Sequence, residues 1–259
     1  MKSTRVGLVL TASLACGGPV VAEPGGRCDR ACLEGFVDRY LDAVVAHDPA
    51  QAPLAPAVRF TENGQRLRPG DGLWNTASAR GPYKLYVADA EAGHVGFFGT
   101  IRENGKPAIL ALRLAIVEGE ITEAETLVAR SEEGARQVEA LGNPHPLFSA
   151  AAAPMPREAL VRTANLYFVG LERNDGKGVY PFTDDCDRIE NGKQTTNRPA
   201  DPKGPVDVEA LGCRQQFETG FFRFVTRIRD RRFVVLDPER GLCWPSCSST
   251  TPATCPRSP

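Results

Sequence analysis

No stretch of this 259-residue chain reaches the roughly 20 consecutive apolar residues that a membrane-spanning helix needs. An excess of charge of one sign is missing too. With 31 Lys and Arg against 32 Asp and Glu, the formal net charge is −1, which offers no global field for nucleic acid or anionic lipid. Histidine is scarce (His47, His94 and His145) and no two cysteines stand at C-x2-C spacing, so the ligand pattern of a structural zinc site is lacking. A phosphate-binding loop, a dinucleotide fingerprint and a serine-nucleophile elbow are likewise absent. No metal, cofactor, nucleic-acid partner or membrane span is expected.

What is present starts at the N-terminus. Lys2 and Arg5 precede an apolar run at 6–15 that is too short to cross a bilayer, and Val20-Val21-Ala22 supplies small residues for cleavage. Residues 1–22 are read as a signal peptide, which places the mature chain in the periplasm or outside the cell. Ser13-Leu14-Ala15-Cys16 keeps lipoprotein processing as the rival. Cleavage after Ala22 removes Cys16 and leaves seven cysteines, an odd number, so at least one is unpaired or intermolecular. In an oxidising compartment the four in the body are expected to close local loops, Cys28 with Cys32 and Cys186 with Cys213.

Leu33, Phe36, Val37, Tyr40, Leu41, Val44 and Val45 recur at helical spacing, which predicts an amphipathic helix over 29–47. Val58-Arg59-Phe60-Thr61 starts a short strand that meets Asn63-Gly64, a dipeptide preferred in tight hairpins, and Leu73-Trp74 begins a short helix. From His94 the period changes to two, and turns at Asn104-Gly105 and Glu118-Gly119 predict a three-stranded antiparallel meander. Residues 131–156 read as a connection that begins with a polar helix and ends in a Pro- and Ala-rich stretch. The pattern then restarts with a helix stripe from Leu160 to Leu171, and Glu190-Asn191-Gly192 repeats Glu62-Asn63-Gly64 at a displacement of 128, which reads as an internal duplication. Residues 217–228 and 232–236 predict two strands of the second copy, while 243–259, rich in Ser, Thr, Pro and Cys, predicts a disordered tail. The organisation expected is a first domain at 28–130, a linker at 131–156, an incomplete second domain at 157–242 and the tail.

The leading helix, Arg59-Phe60-Thr61-Glu62-Asn63-Gly64-Gln65, Gly72-Leu73-Trp74 and Gly119-Glu120-Ile121-Thr122-Glu123-Ala124-Glu125 resemble the SnoaL-like branch of the nuclear-transport-factor-2-like (NTF2-like) superfamily. More narrowly, the chain is similar to a secreted tandem form found in bacteria and fungi whose domain has no assigned function. The resemblance implies an α+β fold of two cone-like halves, each an N-terminal helix on a curved antiparallel sheet, with the second incomplete. The departure after Leu242 resembles a frame change or truncation.

Pockets of that superfamily pair a general base with a hydrogen-bond donor inside an apolar cavity, where desolvation moves pKa values towards neutrality. Groups suited to such a pocket are Glu62, His94 and Tyr40 as catalytic residues and Trp74, Tyr83, Asn63 and Asn191 as substrate contacts, set against the plainer readings of Glu62 and His94 as solvated turn residues and of Trp74 and Tyr40 as core packing. Glu123 and Glu125, in phase with Ile121 and Leu127, are a further carboxylate pair, read chiefly as an exposed edge with a view into the cone as the alternative. Two readings follow. One is a secreted, cofactor-independent lyase, dehydratase or isomerase acting on a small organic molecule; the other is a non-catalytic module that binds a small ligand or pairs with a protein, including a homodimer through the sheet.

Overall fold

The computed structural model describes residues 28–148, 154–200 and 207–250. The expected signal peptide, Cys255 and the last part of the tail lie outside the described residues. The apolar stripe forms α1 (Arg30–Val45), and Asp29 caps it by accepting the Cys32 amide at 2.9 Å. Six strands follow: β1 (Leu54–Glu62), β2 (Gln65–Leu67), β3 (Ala77–Asp89), β4 (His94–Glu103), β5 (Lys106–Val117) and β6 (Glu120–Ala129). They form one sheet in the order β2-β1-β6-β5-β4-β3, antiparallel except where β1 lies beside β6. The predicted meander is β4 to β6. Strand β3 escaped prediction because Gly81-Pro82 breaks its alternation, and its register against β4 shifts between Arg80 and Lys84.

Alternate residues of the sheet face inwards. Phe60, Val95, Phe97, Ile101, Leu110, Leu112 and Leu114 bury against Leu33, Val37, Tyr40, Leu41 and Val44 of α1. Each such side chain contributes about 1.5–3 kcal/mol by leaving water. This is the α+β helix-in-sheet cone implied by the NTF2-like resemblance. A bulge alters the expected phase of β6: Ile116 pairs with Ile121 but Ala115 with Glu123, leaving Thr122 extra. Ala124, Thr126 and Val128 therefore point inwards. Glu123 and Glu125 turn outwards onto the buried Arg113 guanidinium, which corrects the reading that placed them in phase with Ile121.

The outer face is covered as well. Helix α2 (Glu132–Ala140) sets Ala135 and Val138 against Tyr83, Ile109, Leu85 and Phe98. The segment expected to be a linker thus begins with a helix that belongs to the packing of the first half. The polar helix expected there is present, and what the sequence did not show is that Ala135 and Val138 dock it on the sheet.

The second half contains α3 (Arg157–Leu171), the hairpin of β7 (Ile189–Glu190) and β8 (Lys193–Gln194), α4 (Cys213–Glu218), β9 (Arg227–Asp237) and β10 (Leu242–Thr250). Its hairpin repeats the first one: Asn63 and Asn191 have φ of 47° and 50°, and the following glycines 79° and 84°. Residues 217–226 are not the strand predicted. Phe217 buries among Tyr180, Phe182 and Phe222, α4 ends at the left-handed Gly220, and Phe221–Phe224 is a 3-10 turn. The expectation of disorder from residue 243 is overturned as far as Thr250. Strand β10 pairs with β9 from Leu242 opposite Asp237 to Thr250 opposite Arg227, and the Trp244 indole lies so close to Gly96 that a Cβ there would stand 2.8 Å from the ring. Strand pairing satisfies the backbone and one aromatic supplies apolar contact, neither of which composition records.

Both expected disulfides are present, Cys28 with Cys32 and Cys186 with Cys213, while Cys243 and Cys247 are free. Two disulfides favour an extracellular or periplasmic location. No helix among the described residues is long and apolar enough to cross a membrane.

Ionic contacts join the halves. Asp89, 2% exposed, receives both terminal nitrogens of Arg157 at 2.7 and 2.8 Å and the Leu236 amide at 3.0 Å. Arg30 spans to Asp237 and Glu239, and Arg232 reaches Glu125. The β9–β10 ribbon thus covers β3 and β4 beside α2, so a homodimer through that face would have to displace both.

These contacts imply a pH dependence. Burial raises the Asp89 carboxyl, but hydrogen bonds from Arg157 and the Leu236 and Ala92 amides outweigh it and hold the pKa below the usual carboxylate range. Glu125 is likewise lowered by Arg232 and Arg113 in spite of burial. A depressed folded-state pKa contributes stability that is present above the unfolded value and lost as pH falls through the folded one. The halves should remain docked down to about pH 4 and loosen below it. Acrylamide quenching of Trp244, which the docking shields, should rise only in that acid range; a rise between about pH 5 and 7 would contradict the assignment.

Candidate functional site

One end of the cone collects polar groups from four elements. Tyr40 comes from α1, Glu62 from the end of β1, Trp74 from the 3-10 turn Gly72–Asn75, and Thr126 from β6, where it pairs with Glu62. Trp74 is 1% exposed and stands edge-on to Tyr40, with ring centroids 5.3 Å apart. Burial, the largest influence, raises the pKa of the Tyr40 phenol, so this group is a donor that keeps its proton at neutral pH.

Both oxygens of Glu62 are engaged. Oε2 accepts the Leu73 amide at 2.7 Å, and Oε1 accepts from Arg130 at 3.0 Å. The carboxylate therefore fastens the turn that carries Trp74. Gly72, at φ 64°, is required there because a Cβ would collide with Glu62 Oε2.

The other predicted residues go elsewhere. His94 opens β4 on the outer face, and its Nδ1 lies 2.8 Å from the Val234 carbonyl. Since a carbonyl only accepts, Nδ1 carries the proton and the imidazole ties β9 to the sheet. The catalytic trio is thus corrected: Tyr40 and Glu62 share one end of the cone, and His94 is not with them, because the first residue of β4 points away from the side that Val95 and Phe97 occupy. Tyr83 also faces outwards, edge-on to Phe98 at 6.1 Å. Asn63 makes a two-way pair with Val128, accepting its amide at 2.8 Å and donating to its carbonyl at 3.2 Å. Asn191 is exposed at the tip of the second hairpin. Thr126, Asp89 and Arg157 carried no local sequence signal, since their roles arise from partners dozens of residues away.

Space in the cone is small, about 10 Å³, between Tyr40, Phe60, Trp74, Leu110, Leu112 and Thr126. A wider groove of about 560 Å³ runs between α3 and β9. Its lining combines the apolar Val161 and Phe233 with Arg157, Arg162 and Arg231 and the single carboxylate of Glu158. Arg157 is held by Asp89, and Arg231 by Glu172 at 2.5 Å and Asn165 at 3.0 Å. Arg162 is exposed and makes no ion pair among the described residues. No cluster of three metal-ligating side chains occurs among the described residues.

No protein of curated function matches the chain. Among solved structures, an NTF2-like protein of unknown function from Cytophaga hutchinsonii is 14% identical over 37% of this chain and 88% of its own, with a TM-score of 0.29. An NTF2-like protein from Burkholderia thailandensis is 19% identical over 41% and 96%, with a TM-score of 0.29. A de novo designed protein with a curved β-sheet is 16% identical over 44% and 96%, with a TM-score of 0.33. The profile of the family described as "Domain of unknown function (DUF8021)" matches residues 26–128 and again 153–257, so the chain belongs to that family and carries its domain twice.

Proposed function

We propose that this chain is exported and acts as a non-catalytic binder of small organic molecules, with its site in the α3–β9 groove rather than in the first cone. The observation that carries the reading is the contrast in room: about 560 Å³ in the groove against about 10 Å³ in the cone, when organic ligands occupy sites of roughly 300–1,000 Å³. The lyase, dehydratase or isomerase reading loses support because Glu62 has both oxygens engaged and His94 faces the other side of the sheet.

The lining selects the ligand. Val161 and Phe233 suit a flat apolar body, and the free Arg162 guanidinium suits one carboxylate, to which it can donate two parallel N–H bonds. Glu158 on the same helix, and the carboxylates already bound to Arg157 and Arg231, oppose a polyanion. Benzoate and its neutral analogue benzamide serve as probes. Saturation-transfer NMR is expected to detect benzoate more strongly than benzamide on the native protein, and Arg162→Ala, a surface change, should abolish that preference without altering Tm. Equal signals from both probes, or an unchanged preference in the variant, would sink the proposal.

A further inference from the structure

The cone contains two polar atoms that the fold itself leaves unserved. Trp74 Nε1 and Thr126 Oγ1 are buried and have no hydrogen-bond partner within the protein; the residues that carry them are 1% and 4% exposed. Both belong to the lining of the same cavity of about 10 Å³, whose other walls, apart from the Tyr40 hydroxyl, are hydrocarbon. They lie close enough to that hydroxyl to lower its pKa against the opposing effect of burial, yet neither meets hydrogen-bond geometry with it.

An orphaned indole N–H in an apolar core is a costly arrangement that folded proteins rarely keep, and a second orphan in the same cavity is rarer still. A cavity that holds a buried water needs about one probe sphere of room, roughly 10–15 Å³, and two to four polar partners. This cavity has that size and three partners. We propose that the end of the cone is a binding site for a single internal water, which accepts from Trp74 Nε1–H and is hydrogen-bonded to Thr126 Oγ1 and the Tyr40 hydroxyl. The water joins α1, the Gly72–Asn75 turn and β6, three segments that share no backbone hydrogen bond with one another at this point. Its site is too small for any organic guest, and it is independent of the α3–β9 groove.

Two measurements test the site. A crystal structure of the full chain at a resolution that shows ordered solvent should place a density peak within hydrogen-bond distance of Trp74 Nε1, Thr126 Oγ1 and the Tyr40 oxygen. Thr126→Val, which exchanges the hydroxyl for a methyl of similar size, should lower Tm by roughly 2–4 °C through loss of one hydrogen bond to the water. If the cavity is dry, the same substitution relieves an unsatisfied hydroxyl and Tm rises. Density showing the Tyr40 hydroxyl bonded directly to Trp74 Nε1 with no solvent peak, or a raised Tm in Thr126→Val, would overturn the proposal.

Discussion

Asp89→Ala is expected to cost about 3–5 kcal/mol and to loosen the second half from the first at neutral pH. The carboxylate is almost wholly buried and accepts four hydrogen bonds, two from Arg157 and one each from the amides of Leu236 and Ala92. Removing it leaves the buried Leu236 amide without an acceptor and leaves Arg157 with Glu91, 3.8 Å away, as its remaining ionic partner. An uncompensated group in such a place costs far more than the net worth of the pair it belonged to. Asp89→Asn retains one acceptor oxygen for Leu236 or Arg157 and should lose less. Urea unfolding followed by Trp fluorescence reads the loss, and limited proteolysis reads the separation through faster cutting between α2 and α3. A cost below about 1 kcal/mol with an unchanged cleavage rate would show that Trp244 and the remaining contacts hold the halves together without Asp89.

Trp74→Ala should have an effect of similar size, about 3–5 kcal/mol, by a different mechanism. The indole is among the largest fully buried side chains and packs edge-on to Tyr40 against Leu41, Val44, Leu110 and Leu112. Its removal costs the transfer free energy of a large aromatic and leaves a cavity that the surrounding strands cannot close. The turn that carries it is fastened by Glu62 to the Leu73 amide and by the Trp74 carbonyl to His47 at 2.5 Å, and both contacts survive the substitution. The loss should therefore come from packing together with the hydrogen bond that Trp74 Nε1 donates to the proposed internal water, with the urea m-value unchanged. A loss within about 0.5 kcal/mol, the range of surface substitutions, would mean that the side chain is exposed in solution.

Part of the site was legible because it depends on local pattern. Tyr40 falls in the helical stripe, Glu62 and Asn63 precede a tight turn, and Trp74 follows a Gly-rich turn, so their chemistry was visible in short windows. What each side chain touches was not. Glu62 was read as a catalytic group, yet Leu73 and Arg130 make it an anchor; His94 was read as another, yet Val234, 140 residues later, makes it a tie between the halves.

By itself the sequence determined the elements and their periods: α1, the β4–β6 meander, the duplicated Glu-Asn-Gly hairpins and the two local disulfides. These rest on interactions between near neighbours, where spacing alone sets which residues share a face. Only the tertiary structure decided the bulge at Thr122 that turned Glu123 and Glu125 outwards, the burial of α2, the pairing of β10 and the role of Asp89. Each depends on a partner far along the chain. A bulge adds one residue without changing composition, a polar helix does not name the surface that will cover its small apolar face, and a Ser-rich strand is ordered when β9 satisfies its backbone and Gly96 leaves room for Trp244. Such terms arise only when distant segments meet, so they are absent from any window of the sequence.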